Sequence, residues 1–379
     1  MRLGVNTLFM VPGDVGGTET YVRKSLLTAV ERFTEVDYVL FTNNENDALF
    51  QEMFAGKANV SCDCLNFNAA NRPLRIILEQ IRLPLAARKY DLDILWSPGY
   101  TAPFLSFCPQ VVTVCDLQYR RYPEDMSWLA RNTLNFLVQG ACRRCDKVLA
   151  ISEFSRQEIV RCKFARKEKV HTVLLGADKA FGHEHSSKEI RSLLAGQMSD
   201  DEPYILCVAH TYPHKMVHLL VEGFADVMDQ IPHRLILVGK ERRGEGAVAR
   251  AVGQLSDKSR YIRFKNGVPY AALLALFQHA DMFVLPSAYE GFGLPVIEAM
   301  LAGTPVITTQ EASLAEVAGG KAFYMNAVCK NEVARNLLQV YKLSTTKRKE
   351  HIAQARAWAE TFTWQRSVET MFEVFREIA

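Results

Sequence analysis

Glu290 and Glu298 stand eight residues apart in Leu285-Pro286-Ser287-Ala288-Tyr289-Glu290-Gly291-Phe292-Gly293-Leu294-Pro295-Val296-Ile297-Glu298-Ala299-Met300. The apolar run Met282–Leu285 reads as a strand that Pro286-Ser287 ends. Gly291 and Gly293 permit a tight turn with close backbone approach. Pro295 suits the first helical position, and Gly303 followed by Pro305 marks the helix end. Glu290 then lies on the loop and Glu298 about one turn into the helix. Amides near Phe292, Gly293 and Leu294 can meet an anion such as phosphate. The carboxylates cannot neutralise phosphate, so they are assigned to hydroxyls: two ribose hydroxyls for Glu298, a sugar hydroxyl for Glu290. Phosphate paired with hydroxyl recognition points to a nucleotide-sugar. For two bare carboxylates at this spacing, capping and solvating a helix would be the default; the glycines and proline between them argue against it.

Elements of alternating type must position this turn. Candidate strands are Arg2–Asn6, Asp37–Phe41, Ile94–Ser97, Val111–Val114, Lys147–Ile151 and Val170–Leu174. A second series is Tyr204–Ala209, Arg234–Val238, Tyr261–Phe264, Met282–Leu285, Val306–Thr309 and Ala322–Met325. Several are apolar on both faces, as buried parallel strands require. Strand–helix alternation at this length predicts a doubly wound α/β chain of two domains. The break falls near Gly176–Pro203, where polar, His-rich and acidic stretches interrupt the pattern. The expected division is 1–180, with a crossing helix at 362–379, and 181–361. Two such halves facing across a hinge would form a cleft at the carboxyl ends of both sheets.

The composition is that of an ordinary globular chain: 49% hydrophobic, formal net charge +3, and no repeats or low-complexity tracts. The uncharged run Ile94–Cys115 is interrupted by Pro98, Gly99, Pro103 and Pro109, so it reads as strand–loop–strand, not a membrane span. Met1-Arg2 leads straight into a first strand, so no signal peptide is expected. Nine irregularly spaced cysteines fit a reducing compartment, and a cytoplasmic protein is expected. Cys142 and Cys145 form a lone CxxC that reads as incidental thiols on a helix. Cys62 and Cys64 alternate along an apparent strand. His183 and His185 lie in a polar linker without a carboxylate cluster, and no metal site is assigned.

The charge is unevenly spread. From Asn71 to Tyr90, Arg72, Arg75, Arg82, Arg88 and Lys89 face Glu79 alone. From Tyr119 to Lys169 there are twelve Lys/Arg and six Asp/Glu. Solvated helix faces are one reading. Attraction to an anionic membrane surface, at the inner face of the cytoplasmic membrane, or to a diphosphate-bearing acceptor is the other. No nucleic-acid-binding motif accompanies the charge, and no nucleic acid partner is expected. Arg72–Leu83 mixes apolar and basic residues at helical spacing, which suits a core-facing helix or an interfacial one.

Glu290 to Met300, followed by Ala302-Gly303-Thr304-Pro305-Val306-Ile307, closely resembles the signature of retaining GT-B glycosyltransferases of family 4 (group 1), of the bacterial surface-polysaccharide type. The resemblance spans nearly the whole chain. Gly16-Gly17-Thr18-Glu19-Thr20-Tyr21-Val22 is similar to the family's first glycine loop. Leu95–Tyr100 and Ile151–Arg156 resemble its middle motifs, and Phe362-Thr363-Trp364 the start of its closing helix, which crosses back onto the first domain. His210-Thr211-Tyr212-Pro213-His214-Lys215 resembles its basic donor-phosphate motif. Lys215 then matches the lysine that neutralises the diphosphate, His214 stands where arginine is common, and His210 can face the donor. Gly267-Val268-Pro269 resembles the loop beside the base, with Val268 offering backbone contacts.

The resemblance implies two Rossmann-like domains, the first on the acceptor side and the second binding the donor. It also implies transfer of a hexosyl or deoxyhexosyl group from a GDP-, UDP- or dTDP-sugar to a glycan or lipid-linked saccharide, without a metal. The mechanism it implies is same-face, the departing phosphate helping to deprotonate the acceptor. Val112-Thr113-Val114-Cys115-Asp116-Leu117 departs from the family: histidine usually stands where Cys115 does. Either the donor sugar lacks the hydroxyl such a histidine would hold, or Asp116 or Tyr119 supplies the missing group, or catalysis is weak. A nucleophilic Cys115 is not expected. Two further functional readings stay open on sequence alone: an epimerase or hydrolase of sugar nucleotides on the same fold, and a non-catalytic sugar-nucleotide-binding partner.

Overall fold

A computed structural model describes residues 1–14, 16–183, 192–193 and 202–379. It divides into two compact units, Met1–Gly176 with Thr363–Ala379, and Ala177–Phe362. The sequence reading places these changes at 180–181 and 361–362. His185 and most of the acidic stretch Gln197–Pro203 lie outside the described residues.

The first unit runs β1 (Arg2–Asn6), α1 (Gly17–Arg32), β2 (Asp37–Thr42), α2 (Asp47–Met53), β3 (Val60–Cys64), α3 (Arg72–Lys89), β4 (Ile94–Ser97) and β5 (Gln110–Val114). It continues through α4 (Gln118–Arg121), α5 (Trp128–Arg144), β6 (Lys147–Ala150), α6 (Glu153–Arg161) and β7 (Val170–Thr172). The strands form one parallel sheet ordered β3-β2-β1-β4-β5-β6-β7. β1, β4 and β5 are almost wholly buried, which fits the apolar residues that each carries on both faces. β3 lacks the apolar run that marks most of the other strands. Its sequence, Val-Ser-Cys-Asp-Cys, carries one β-branched aliphatic, as befits an edge strand; Cys62 and Cys64 alternate along it and pair with Leu40 and Thr42.

The second unit runs β8 (Tyr204–Val208), α7 (Val217–Ala225), β9 (Arg234–Val238), α8 (Glu245–Gly253), β10 (Tyr261–Phe264), α9 (Tyr270–His279) and β11 (Met282–Leu285). α10 (Leu294–Ala302), β12 (Val306–Thr309), α11 (Leu314–Ala318), β13 (Phe323–Met325), α12 (Lys330–Tyr341) and α13 (Thr345–Ala359) complete it. Its parallel sheet is ordered β10-β9-β8-β11-β12-β13. In both sheets the order reverses beside the first strand, and a doubly wound fold binds ligands at the carboxyl ends of strands near such a switch point.

The chain ends in α14 (Trp364–Arg376), capped by Thr363, whose Oγ1 accepts from the Arg366 N–H at 3.2 Å. α14 belongs to the first unit and packs on α1, with Phe33 and Phe372 stacked at 4.0 Å. Cys142 and Cys145 are fully buried in the core between β5, β6 and α5. Burial pushes the Cys142 thiol up to about 12 and raises Cys145 as well, which makes them packing residues.

Candidate functional site

The Glu290 turn joins β11 to α10. Gly293 caps the helix in the left-handed region (φ 99°), and a Cβ there would fall 2.8 Å from Leu314 Cδ2. Pro295 is the second helical residue, not the first; Gly303 closes the helix in the left-handed region. Residues 290–294 are all buried. Two serines outside the spacing pattern hold the loop. Ser313 Oγ reaches the carbonyl oxygens of Glu290 and Phe292, each at 2.9 Å. Ser287 Oγ donates to Glu290 Oε1 at 2.7 Å, and its own carbonyl accepts from Thr309 Oγ1 at 2.6 Å.

Lys215 lies on a short turn after β8 and comes directly onto Glu290. Its Nζ is 2.6 Å from Oε1 and 2.7 Å from Oε2. The Ala288 N–H donates to the His214 carbonyl at 2.9 Å, so the two loops are also joined through their backbones. An ammonium has three donors, so one remains beyond the carboxylate for a phosphate oxygen. The structure therefore brings Lys215, Glu290 and the start of α10 together in one buried corner.

The histidines differ from Lys215. His214 is 2% exposed and its ring stacks on Tyr212 at 5.6 Å. Burial and then Lys215 lower it to about 3, so it brings no positive charge to a phosphate, unlike the arginine common in the family. His210 accepts the Lys240 N–H on Nδ1 at 3.0 Å. It is lowered to about 4 by burial first and then by Arg242, Lys215, Lys240 and Arg263. It is neutral at pH 7, and because Nδ1 accepts, its proton is on Nε2. Gly239 (φ 147°) makes this approach feasible: a Cβ there would sit 2.2 Å from the Ala209 carbonyl oxygen. Thr211 Oγ1 donates to Glu245 at 2.7 Å and accepts from the Arg242 N–H at 2.8 Å, fixing the same loop.

Glu298 is half-buried on α10. Val268, also half-buried, lies between β10 and α9 beside Gly267 (φ 80°). Tyr270, two residues on, donates to Asp178 at 2.7 Å. Burial first, then the Asp178 and Glu298 carboxylates, raise its phenol.

In the first unit, Gly16 (φ 59°) caps α1, and both Gly16 and Gly17 are exposed. Glu19 Oε2 accepts the Gly13 N–H at 2.7 Å and steadies this loop. Cys115, at the end of β5, is buried, and its thiol is hydrogen-bonded with the side chains of Thr18 and Tyr100. Its carbonyl accepts from Ser155 Oγ at 2.7 Å. Burial and then Asp116 push the thiol up to about 12, so it stays protonated at neutral pH and is no nucleophile. Asp116 is half-buried, with Oδ1 accepting the Gln118 N–H at 3.1 Å.

Tyr119 does not supply the group missing at Cys115: it is 5% exposed and packed among Val138, Ile159 and Phe164. Tyr100 touches Cys115 instead, from a left-handed backbone (φ 71°). The glycine loop, through Thr18, and the motif Leu95–Tyr100 thus meet at Cys115. Tyr100, Thr18 and Ser287 stand inside the motifs described above without a role assigned to them; Ser313 lies outside them, and its partners are more than twenty residues away in sequence.

The two doubly wound parallel sheets define an α/β chain of GT-B architecture. Residues 15–181 match the family model described as Glycosyltransferase Family 4, and residues 195–358 match Glycosyl transferases group 1. The chain belongs to this family and is a glycosyltransferase. It is 28% identical over 304 residues to the O-antigen chain mannosyltransferase RfbU of Salmonella typhimurium, covering 79% of this chain and 80% of the relative. It is 26% identical over 295 residues to the O-antigen chain mannosyltransferase B of Escherichia coli, covering 76% and 75%. Among solved structures, Anabaena HepE in complex with UDP-glucose superposes with a TM-score of 0.76 at 20% identity over the full length of both chains. The sucrose-phosphate synthase of Thermosynechococcus elongatus gives 0.76 at 17% identity, covering 100% and 98%.

Proposed function

We propose that this glycosyltransferase moves a hexosyl or deoxyhexosyl group, mannosyl or rhamnosyl in type, from a nucleoside diphosphate-sugar to a hydroxyl of a glycan or lipid-linked saccharide. It does so with retention, in O-antigen, lipopolysaccharide or exopolysaccharide assembly. The observation that carries this reading is the Lys215–Glu290 pair at 2.6 and 2.7 Å beside the start of α10. The names of the Salmonella and Escherichia relatives support the mannosyl and O-antigen parts.

In this reading Lys215 and the first amides of α10 meet the diphosphate, and Glu298 takes the ribose hydroxyls with Val268 beside the base. Glu290, fixed by Ser287, orients a sugar hydroxyl. The bond from the anomeric carbon to the diphosphate oxygen breaks, and the diphosphate keeps the electron pair. Lys215 and the helix N-terminus stabilise the developing negative charge, so no metal is needed. The acceptor oxygen bonds to the anomeric carbon from the same face, and its proton passes to the departing phosphate. Neutral His210 offers Nε2–H as a further donor. The first unit holds the acceptor, with Gly16, Gly17, Cys115 and Asp116 at its carboxyl-end loops. Cys115 is smaller than histidine and donates weakly, which suits a sugar lacking the hydroxyl that histidine would hold.

Among the described residues no helix is long and apolar enough to cross a membrane. A lipid-linked acceptor places the chain peripherally at the inner face of the cytoplasmic membrane. The test is a screen of GDP-, UDP- and dTDP-sugars by thermal shift, followed by transfer assays with EDTA and product analysis by NMR. One donor stabilising the chain, metal-independent release of its nucleoside diphosphate and a retained anomer are expected. Stabilisation by none of them, or an inverted product, would overturn the reading.

A further inference from the structure

We propose that one face of the first unit, built by α3, residues 102–107 and α5, docks on an anionic lipid surface, an inference that rests on the peripheral placement proposed above. In the strand order β3-β2-β1-β4-β5-β6-β7, the chain moves one way from β1 to β3 and the other way from β3 to β7. Right-handed crossovers then put α3 and α5 on the same side of the sheet. The segment between them is tied to both. The Gln80 side chain on α3 donates to the Ala102 carbonyl at 3.1 Å and accepts the Phe104 N–H at 2.9 Å. Phe104 meets Phe136 of α5 edge-on at 5.6 Å, and the Arg88 guanidinium of α3 lies 4.9 Å from the Phe107 ring centre.

α3 is apolar on two opposite sides. Leu83 and Ala87 face the core. Leu74, Ile77, Ile81 and Leu85, at spacings of three and four residues, are 39 to 60% exposed and form a stripe on the other side. Leu105, Phe107, Trp128, Leu129 and Phe136 continue it at 58 to 73% exposure. A contiguous apolar patch of this kind on a globular chain marks an interaction surface. Trp128 and Phe136 are the residue types that settle at a membrane interface.

The charge around the stripe selects the occupant. Arg72, Arg82, Arg88 and Lys89 are exposed on α3, and Arg143 and Arg144 on α5. The single acid of α3, Glu79, points inward, where Thr101 Oγ1 donates to both its oxygens at 2.8 and 2.9 Å. α5 has no acid; Glu124 and Asp125 precede it, and Asp125 accepts from Gln118 Nε2 at 2.7 Å. Two copies meeting through this face would oppose like charges, whereas an anionic leaflet attracts the basic rim while the stripe enters the headgroup boundary.

The test uses the full chain and extruded vesicles of phosphatidylcholine alone or mixed with phosphatidylglycerol, sedimented at low and high salt. Binding to the mixed vesicles alone, weakened by salt, is expected for the wild type. Ile77→Glu with Ile81→Glu, and separately Trp128→Glu with Phe136→Glu, should each lower that binding roughly ten-fold or more. Both should leave the melting temperature and its shift by UDP or GDP unchanged, because the substituted side chains are exposed. Wild-type binding that neither pair weakens would overturn the face while leaving a peripheral enzyme. No binding to either vesicle would overturn the face and the peripheral placement together, without touching donor recognition. A dimer in sedimentation velocity that either pair dissociates would overturn the lipid assignment in favour of a second copy.

Discussion

The two units each open a helix from a left-handed glycine, and the two loops are built in opposite ways. At Gly293 residues 290–294 are buried, a charged pair closes the loop, and Ser287 and Ser313 pin it. At Gly16 the loop is exposed, and the side chain beneath it is the neutral thiol of Cys115, reached through Thr18. Charge is fixed in place where the diphosphate is proposed to bind. The other loop is open to solvent and steadied by the Glu19 carboxylate, which suits the proposed partner that varies or moves. The difference is one of construction: a buried ion pair and two serine hydroxyls hold the Gly293 loop, whereas the Gly16 loop is exposed and held by a single carboxylate contact.

The contrast breaks most readily at the charged pair. Lys215→Ala or Glu290→Ala should lower turnover by ~10²-fold or more, since each removes a group acting on the developing charge or the sugar. Cys115→Ala should lower it by less than about ten-fold, because a neutral thiol donates weakly. Equal losses in a steady-state assay would abolish the distinction. Each single charge deletion also strands the partner and should cost up to about 3 kcal/mol in urea unfolding. Lys215→Met with Glu290→Gln should restore most of that stability and none of the activity.

Backbone substitution sharpens the same comparison. Gly293→Ala places a Cβ 2.8 Å from Leu314 in a left-handed conformation, and should cost about 1–3 kcal/mol. Gly17→Ala meets nothing within 4 Å and begins a helix, so the melting temperature should stay within about a degree of wild type. A destabilised Gly17→Ala would show that the first loop is packed after all.

A further contrast between the units is expected in acid. His210 and His214 are held neutral in the folded chain, at about 4 and about 3, against an ordinary 6.5. Below pH 6.5 the unfolded chain binds protons that the folded second unit refuses, so stability falls as pH drops from 6.5 towards 4. Glu79 in the first unit acts in the other direction. Burial raises its carboxyl, so its contribution is fullest at low pH and is lost as pH rises through the raised value. Melting followed from pH 7 to 4 should fall less steeply in His214→Phe, which keeps the Tyr212 stack; an unchanged slope would remove His214 as the cause.

Much of this was legible in the residues. Buried strands announce themselves by unbroken Val, Ile and Leu, and the Glu290–Met300 turn by its glycines and proline. β3 was seen only as the alternation of Cys62 and Cys64, because an edge strand needs apolar side chains on one face at most. The resemblance of His210–Lys215 to the family's basic motif points Lys215 at phosphate, but its pairing with Glu290 is a tertiary fact across 75 residues. His214 stands where the family commonly has arginine, yet burial makes it neutral, and Tyr119, a candidate substitute donor in sequence, is core. Ser313 and Thr18 act on backbone or sulfur far away in sequence, and no local pattern marks such contacts. The mixed spacing of Arg72–Leu83 leaves a core-facing and an interfacial helix both open, because helical spacing cannot say which of two apolar sides the core takes.

The most direct test is calorimetry of a nucleoside diphosphate and its sugar nucleotide with three chains: wild type, Lys215→Met and Glu290→Gln. Lys215→Met should weaken both ligands alike, since it meets the diphosphate they share. Glu290→Gln should bind the nucleoside diphosphate nearly as wild type does, and lose the added affinity that the sugar confers. Wild-type affinities for both ligands in both variants would contradict the placement of the donor on this pair.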